Sequence, residues 1–126
     1  MPHRKLIFIV DDDPLYCEIL ADHLKMNPKY RVQTFATGED CLRQLFENPD
    51  LIILDYNLSL VKHDAGNGMQ ILDLIKKEDA NQKVIVLSAQ EHYGVALETI
   101  RRGAEQYIVK DTSSFDKLDK LISALN

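Results

Sequence analysis

Tryptophan is absent from this 126-residue chain, which has only two cysteines, four prolines and five glycines. Two cysteines cannot supply the disulfide framework of a small secreted scaffold, and Cys17 and Cys41 lack the paired spacing of a structural metal site. Each sits among apolar residues of an expected helix, so both read as buried free thiols. There is no internal repeat, low-complexity tract or linker. Long hydrophobic runs are missing too. The longest, at residues 6–10, 51–54 and 84–87, fall far short of the roughly 18 residues that mark a membrane span, and no membrane partner is expected. The basic start, Met1-Pro2-His3-Arg4-Lys5, meets an acidic cluster too soon for a secretory signal. A cytoplasmic location is expected. Positive charge is also in deficit: 15 Lys and Arg against 20 Asp and Glu leave a net charge of −5. That is the wrong sign for gripping a phosphate backbone, so no direct nucleic-acid partner is expected.

What is present suits one globular domain spanning 1–126. Apolar residues make up 45% of the chain and charged residues 28%, and a chain of this length buries roughly two thirds of its unfolded surface. The three apolar runs are rich in β-branched residues and bounded by polar ones, as in strands buried on both faces of a parallel sheet. Tyr30–Phe35 alternates like an edge strand, and Gln106–Val109 is a short fifth strand. Helical patterns fall between them at about 15–28, 38–47, 68–79, 91–102 and 114–125. Asp13-Pro14 is an N-cap followed by proline at the first helical position, and Asn27-Pro28 stops the first helix. Phe115, Leu118, Leu121, Ile122 and Leu125 form one apolar stripe on the last. Alternating β and α elements predict an α/β fold, a doubly wound five-stranded parallel sheet with five helices on both faces.

In such sheets ligands bind beyond the carboxyl ends of the strands. The first strand there ends in Asp11-Asp12-Asp13, the third in Asp55, the fourth in Ser88 and the fifth in Lys110. Carboxylates gathered in this way repel one another unless a cation joins them, and a hard divalent ion, most simply Mg²⁺, resolves the conflict. A carboxylate, a divalent ion, an ammonium and a hydroxyl in one pocket are the parts for transferring a phosphoryl group. Asp55 is the expected nucleophile, and an ionised carboxylate needs no general base.

Four segments carry a resemblance: Phe8-Ile9-Val10-Asp11-Asp12-Asp13-Pro14, Leu51-Ile52-Ile53-Leu54-Asp55-Tyr56-Asn57-Leu58, Val84-Ile85-Val86-Leu87-Ser88-Ala89 and Gly103-Ala104-Glu105-Gln106-Tyr107-Ile108-Val109-Lys110. In order and spacing they resemble the receiver domain of two-component response regulators, the group that includes the chemotaxis response regulator. The resemblance implies a flavodoxin-like sheet of order 2-1-3-4-5. It implies that Asp55 accepts a phosphoryl group from a sensor histidine kinase or phosphotransfer protein, and that Asp12 ligates Mg²⁺ directly, Asp11 through water and Asn57 through its backbone carbonyl. Asp13 is expected to cap the helix instead. Ser88 takes the position that follows the phosphoryl group, Tyr107 that of the aromatic switch and Lys110 that of the family lysine. Asn57 and Gln90 stand where side chains influence hydrolysis of the acyl phosphate. A switched surface between the fourth helix and the fifth strand, read by an effector, an output domain or a second copy, follows by the same resemblance. It implies a phosphoacceptor signalling domain, with no enzymatic turnover beyond its own phosphorylation and slow autodephosphorylation.

Some residues depart from the family pattern. Ser59 replaces an expected proline, and Gly68 stands thirteen positions after Asp55, so that residues 60–67, with His63, Asp64 and Gly66, include an insertion beside the site. Asp111 follows Lys110 where the family usually has proline. A cis bond before a non-proline residue costs roughly 3 kcal/mol, which leaves the isomer of this peptide open. Lys110-Asp111-Thr112-Ser113 resembles receivers that precede DNA-binding output domains, so both a single-domain receiver and one separated from its output domain fit. His3, His23, His63 and His92 do not cluster and read as surface histidines. The alternative function is a receiver-like module that binds partners without phosphorylation. A haloacid-dehalogenase-like phosphatase would need a second carboxylate at Asn57, and the acidic turn after the first strand would repel the phosphate of a flavodoxin cofactor.

Overall fold

A computed structural model describes residues 4–58 and 67–125. Five strands, β1 (Lys5–Val10), β2 (Tyr30–Phe35), β3 (Leu51–Asp55), β4 (Val84–Ser88) and β5 (Gln106–Val109), alternate along the described residues with five α-helices. These are α1 (Pro14–Lys25), α2 (Gly38–Arg43), α3 (Gly68–Glu78), α4 (Tyr93–Arg101) and α5 (Ser114–Ala124). All strand pairs are parallel, in the order β2-β1-β3-β4-β5. The expected fold class and strand order are both observed. Residues 59–66, with most of the expected insertion, lie outside the described residues, as does His3. None of the described helices is long and apolar enough to cross a membrane.

The continuous apolar runs become the central strands because parallel pairing with a helical layer on each side buries both faces. Ile7, Ile9, Ile53, Ile85 and Leu87 point to one side, where Leu20 and Leu24 of α1 and Leu118 and Ile122 of α5 complete a core. Phe8, Val10, Ile52, Leu54, Val84 and Val86 point to the other, against Cys41 of α2 and Ile71, Leu72 and Ile75 of α3. Each such side chain contributes roughly 1.5–3 kcal/mol by leaving water. Both thiols are buried, and desolvation pushes Cys41 up to about 12, so it stays protonated and inert.

Local chemistry sets the ends of the helices. Asp13 caps α1, its carboxylate accepting the backbone N–H groups of Leu15 at 3.0 Å and Tyr16 at 3.3 Å. Asn67 and Gln70 form a reciprocal capping box on α3. Three helices are shorter than the pattern predicts by more than one residue. α1 stops at Lys25 and Asn27-Pro28 lies in the following turn, where the N–H of Tyr30 bonds the Asn27 carbonyl. The expected helix over 38–47 breaks after Arg43 into a 3₁₀ turn, Leu45–Glu47, closed by Asn48 in the left-handed region at φ 58°. Asparagine tolerates that conformation better than most side chains. α4 begins at Tyr93 because the His92 ring caps it, Nδ1 accepting the N–H of Val95 at 3.2 Å.

Gly68 joins this architecture to the site. A Cβ there would lie 2.7 Å from the carbonyl oxygens of Asp55 and Tyr56, so α3 can start against the end of β3 only without a side chain. Gly68→Ala gains about 1 kcal/mol of helix propensity but meets backbone that cannot yield, and overpacking of this kind costs about 1–3 kcal/mol. A net destabilisation is expected, read by urea denaturation; an equal or higher midpoint would show that the turn adapts freely.

Candidate functional site

The strand register lines up the functional residues. Val10 is level with Leu54, Asp55 with Leu87, and Ser88 with Val109. The next residues of β1 and β5, Asp11 and Lys110, therefore emerge beside Asp55 and Ser88 at the carboxyl edge. Backbone bonds extend the ladder into the site: the N–H of Asp11 donates to Phe35, Tyr56 to Leu87 and Lys110 to Ser88. The side chains consequently spring from anchored backbone, not from free loops.

One carboxylate oxygen from each of Asp11, Asp12 and Asp55 lies within 4.8 Å of the others. Asp11 and Asp55 are each only 3% exposed, whereas Asp12 reaches solvent. Lys110 Nζ donates to Asp11 Oδ2 at 2.8 Å and stands 3.4 Å from Asp55 Oδ1. Each buried carboxylate also accepts a backbone N–H two residues ahead, Asp11 from Asp13 at 2.9 Å and Asp55 from Asn57 at 3.1 Å. These bonds fix which oxygens remain available.

Burial, and then the charge of Asp11, push the Asp55 carboxyl up to about 6, against the pull of Lys110 and the Asn57 N–H. Burial also works against the Lys110 charge, but the Asp11 hydrogen bond and the two nearby carboxylates outweigh it and raise its pKa. Three carboxylates against one ammonium leave an excess of negative charge at pH 7. The donor set is entirely hard oxygen, and the Asn57 Oδ1 is buried without a hydrogen bond among the described residues. A divalent ion that prefers oxygen ligands, such as Mg²⁺, fits these residues.

Ser88 is buried at the end of β4, and its Oγ accepts the N–H of Gln90 at 3.2 Å. The Tyr107 ring packs on the α3-side core while its hydroxyl donates to the Gln90 carbonyl at 2.8 Å. Both residues thus hold the same residue of the β4–α4 turn. Asp111, which follows Lys110 through a trans peptide, accepts the N–H of Ser113 at 2.9 Å and its hydroxyl at 2.7 Å. It organises the turn into α5 where the sequence lacks proline.

Two features were not legible in the sequence. Tyr16, in the first turn of α1, places its ring centroid 4.4 Å from Lys110 Nζ, a contact between opposite ends of the chain for which no local pattern exists. His23 is not a lone surface histidine. Its Nε2 lies 2.9 Å from Asp119 of α5, and its ring sits 4.9 Å from that of Phe115.

Residues 7–124 match the response regulator receiver domain family. The chemotaxis protein CheY of Bacillus subtilis strain 168 is 28% identical over 127 aligned positions, which span 100% of this chain and 97% of that protein. The nitrate/nitrite response regulator protein NarL of Escherichia coli strain K12 is 28% identical over 120 residues, 94% of this chain and 53% of NarL. The chain thus spans about half the length, or less, of the first curated relatives it matches. Among solved structures, the response regulator TrrA of Thermotoga maritima, in complex with Mg²⁺ and beryllofluoride, is similar with a TM-score of 0.80 at 32% identity, over 97% of this chain and 99% of that one.

Proposed function

The chain belongs to the response regulator receiver family of signalling domains, and from that membership we propose that Asp55 accepts a phosphoryl group from a phosphohistidine of a sensor kinase or phosphotransfer protein. The observation that carries this reading is the juxtaposition of Asp11, Asp12 and Asp55 within 4.8 Å, with the Lys110 ammonium 3.4 Å from Asp55. With its pKa at about 6, Asp55 is mostly ionised at pH 7 and attacks without a general base. A P–O bond to Asp55 forms as the donor's P–N bond breaks, and the electron pair leaves with the imidazole. The carboxylates of Asp12 and Asp55, with Asp11 through water and the backbone carbonyl of Asn57, would hold Mg²⁺, which neutralises charge on the phosphoryl oxygens. Lys110 supplies a fixed positive charge to the same oxygens and Ser88 a hydroxyl donor.

The phosphoryl dianion gives Lys110 and Ser88 a partner they lack before transfer, and this differential contact biases two states. Ser88 drawn toward the phosphoryl oxygens releases the Gln90 N–H, which loosens the residue that Tyr107 also holds. The Tyr107 ring then fills the vacated space, and the surface between α4 and β5 changes for an effector, an output domain or a second copy. Asn57 and Gln90 present amides that orient the attacking water without deprotonating it, so the acyl phosphate hydrolyses slowly.

The test is intact mass after incubation with acetyl phosphate, with and without Mg²⁺. A gain of one phosphoryl group that requires Mg²⁺ is expected. No gain, together with no Mg²⁺ binding, would favour the phosphorylation-independent binding module.

A further inference from the structure

Lys110 must keep its ammonium over two buried carboxylates, yet it ends a flexible four-carbon stem and lies just beyond the last residue of β5. Asp11 and Asp55 hold it from two directions. The third contact is the face of the Tyr16 ring, 4.4 Å from Nζ to the centroid, well inside the reach of a cation–π attraction. We propose that Tyr16 is a positioning residue for the phosphoryl-transfer site: its ring holds the Lys110 ammonium where it must meet the phosphoryl oxygens. The proposal deepens, and rests on, the phosphoacceptor reading above.

The ring is itself fixed. Tyr16 leaves the first turn of α1 with its N–H bonded to the Asp13 cap, so its backbone cannot swing. Phe115 of α5 meets the ring edge-on, with centroids 6.1 Å apart and planes at 67°. The His23 ring lies behind Phe115, held by Asp119. A chain of aromatic contacts, from His23 through Phe115 to Tyr16, thus braces the ring that meets the lysine. The Tyr16 hydroxyl takes no visible part: it is buried without a well-formed hydrogen bond among the described residues. Burial pushes the phenol pKa up, and the nearby Ser114 hydroxyl pulls the other way. The ring face, and not the hydroxyl, is the functional element.

The experiment follows phosphoryl gain from acetyl phosphate by the whole chain, with Mg²⁺ and donor each titrated to saturation, for wild type, Tyr16→Leu and Tyr16→Phe. Tyr16→Leu is expected to lower the saturated rate about tenfold, between the scales of an exposed and a fully desolvated cation–π contact, and Tyr16→Phe to stay within about twofold of wild type. The half-saturating Mg²⁺ and donor concentrations should not move, because the ring touches neither. A Leu variant as fast as wild type, or a Phe variant as slow as the Leu variant, overturns the assignment. The contact is read independently by NMR of the wild type, where ring current should shift the Lys110 ε-methylene protons upfield of those of the other lysines. An unshifted signal overturns the proposal even if Tyr16→Leu does not fold. A wild type that gains no phosphoryl group but shows the upfield shift would instead sink the phosphoacceptor reading and leave the contact standing.

Discussion

Asp55→Asn is expected to abolish phosphoryl gain completely and, with no metal present, to make the domain more stable at pH 7 by roughly 1–3 kcal/mol. The two effects have one cause. Asp55 is buried 3.4 Å from Lys110 but also beside Asp11, and burial and that second negative charge raise its carboxyl from 3.8 to about 6. The folded chain therefore holds the proton more tightly than the unfolded chain does. Stability then rises as pH falls through about 6 and levels off near 3.8, whereas above 6 the full cost of a buried charge is carried. Asparagine removes that cost and keeps an oxygen for the Asn57 N–H, although it gives up the attraction of Lys110. Urea denaturation of both proteins at pH 7 and pH 5 checks this. The gap should be wide at the higher pH and narrow at the lower one. Saturating Mg²⁺ should reverse the order, since an ion that binds the native carboxylates stabilises the wild type by mass action and the variant less. Parallel pH profiles would mean that Lys110 already neutralises Asp55 in full.

The destabilised carboxylate stands where the sequence pattern said it would. Central parallel strands bury both faces, so they appear as unbroken apolar runs, and the first polar residue after each run marks the carboxyl edge. Asp11, Asp55, Ser88 and Lys110 were legible for that reason, and Asp13 because Asp-Pro is a local helix-start signal. Features that depend on distant packing were not legible. Leu42, Leu45 and Phe46 continue a helical spacing, yet Phe46 is 73% exposed and the helix has already given way to a 3₁₀ turn. That turn closes on Asn48 in a left-handed conformation, which a glycine would have announced and an asparagine does not. Tyr107 reads as the switch by resemblance and as a core residue by its place on a short strand, and its geometry has both aspects: a ring on the core and a hydroxyl on Gln90. The Tyr16–Lys110 contact joins the first helix to the end of the last strand. No periodicity encodes a pair so far apart.

Lys110→Met is the second large effect. Methionine fills a similar volume but leaves Asp11 and Asp55, each 3% exposed, facing each other without a counter-charge. Removing one partner of a buried ion pair costs about 3–5 kcal/mol when the remaining charge cannot escape. Here it has one escape, because Asp55 is already raised to about 6 and, without the pull of Lys110, rises further and takes up a proton at neutral pH. The loss of stability at pH 7 should therefore fall below the full range and shrink further at pH 5. Proton uptake spares the fold but disarms the nucleophile, and the fixed positive charge for the phosphoryl oxygens is gone as well. Phosphoryl gain from acetyl phosphate should drop by about 100-fold or more, the scale for losing one preorganised electrostatic donor. Raising the pH should recover part of that rate by ionising Asp55 again, but not the part that belonged to the ammonium. Lys110→Arg tests the geometry: it restores charge but not the compact single-atom donor that fits between Asp11 Oδ2 and Asp55 Oδ1, so it should recover stability more fully than rate. If instead the arginine variant accepts phosphoryl groups as fast as the wild type, charge alone is sufficient, and the close placement of Nζ over the two carboxylates is incidental to the chemistry.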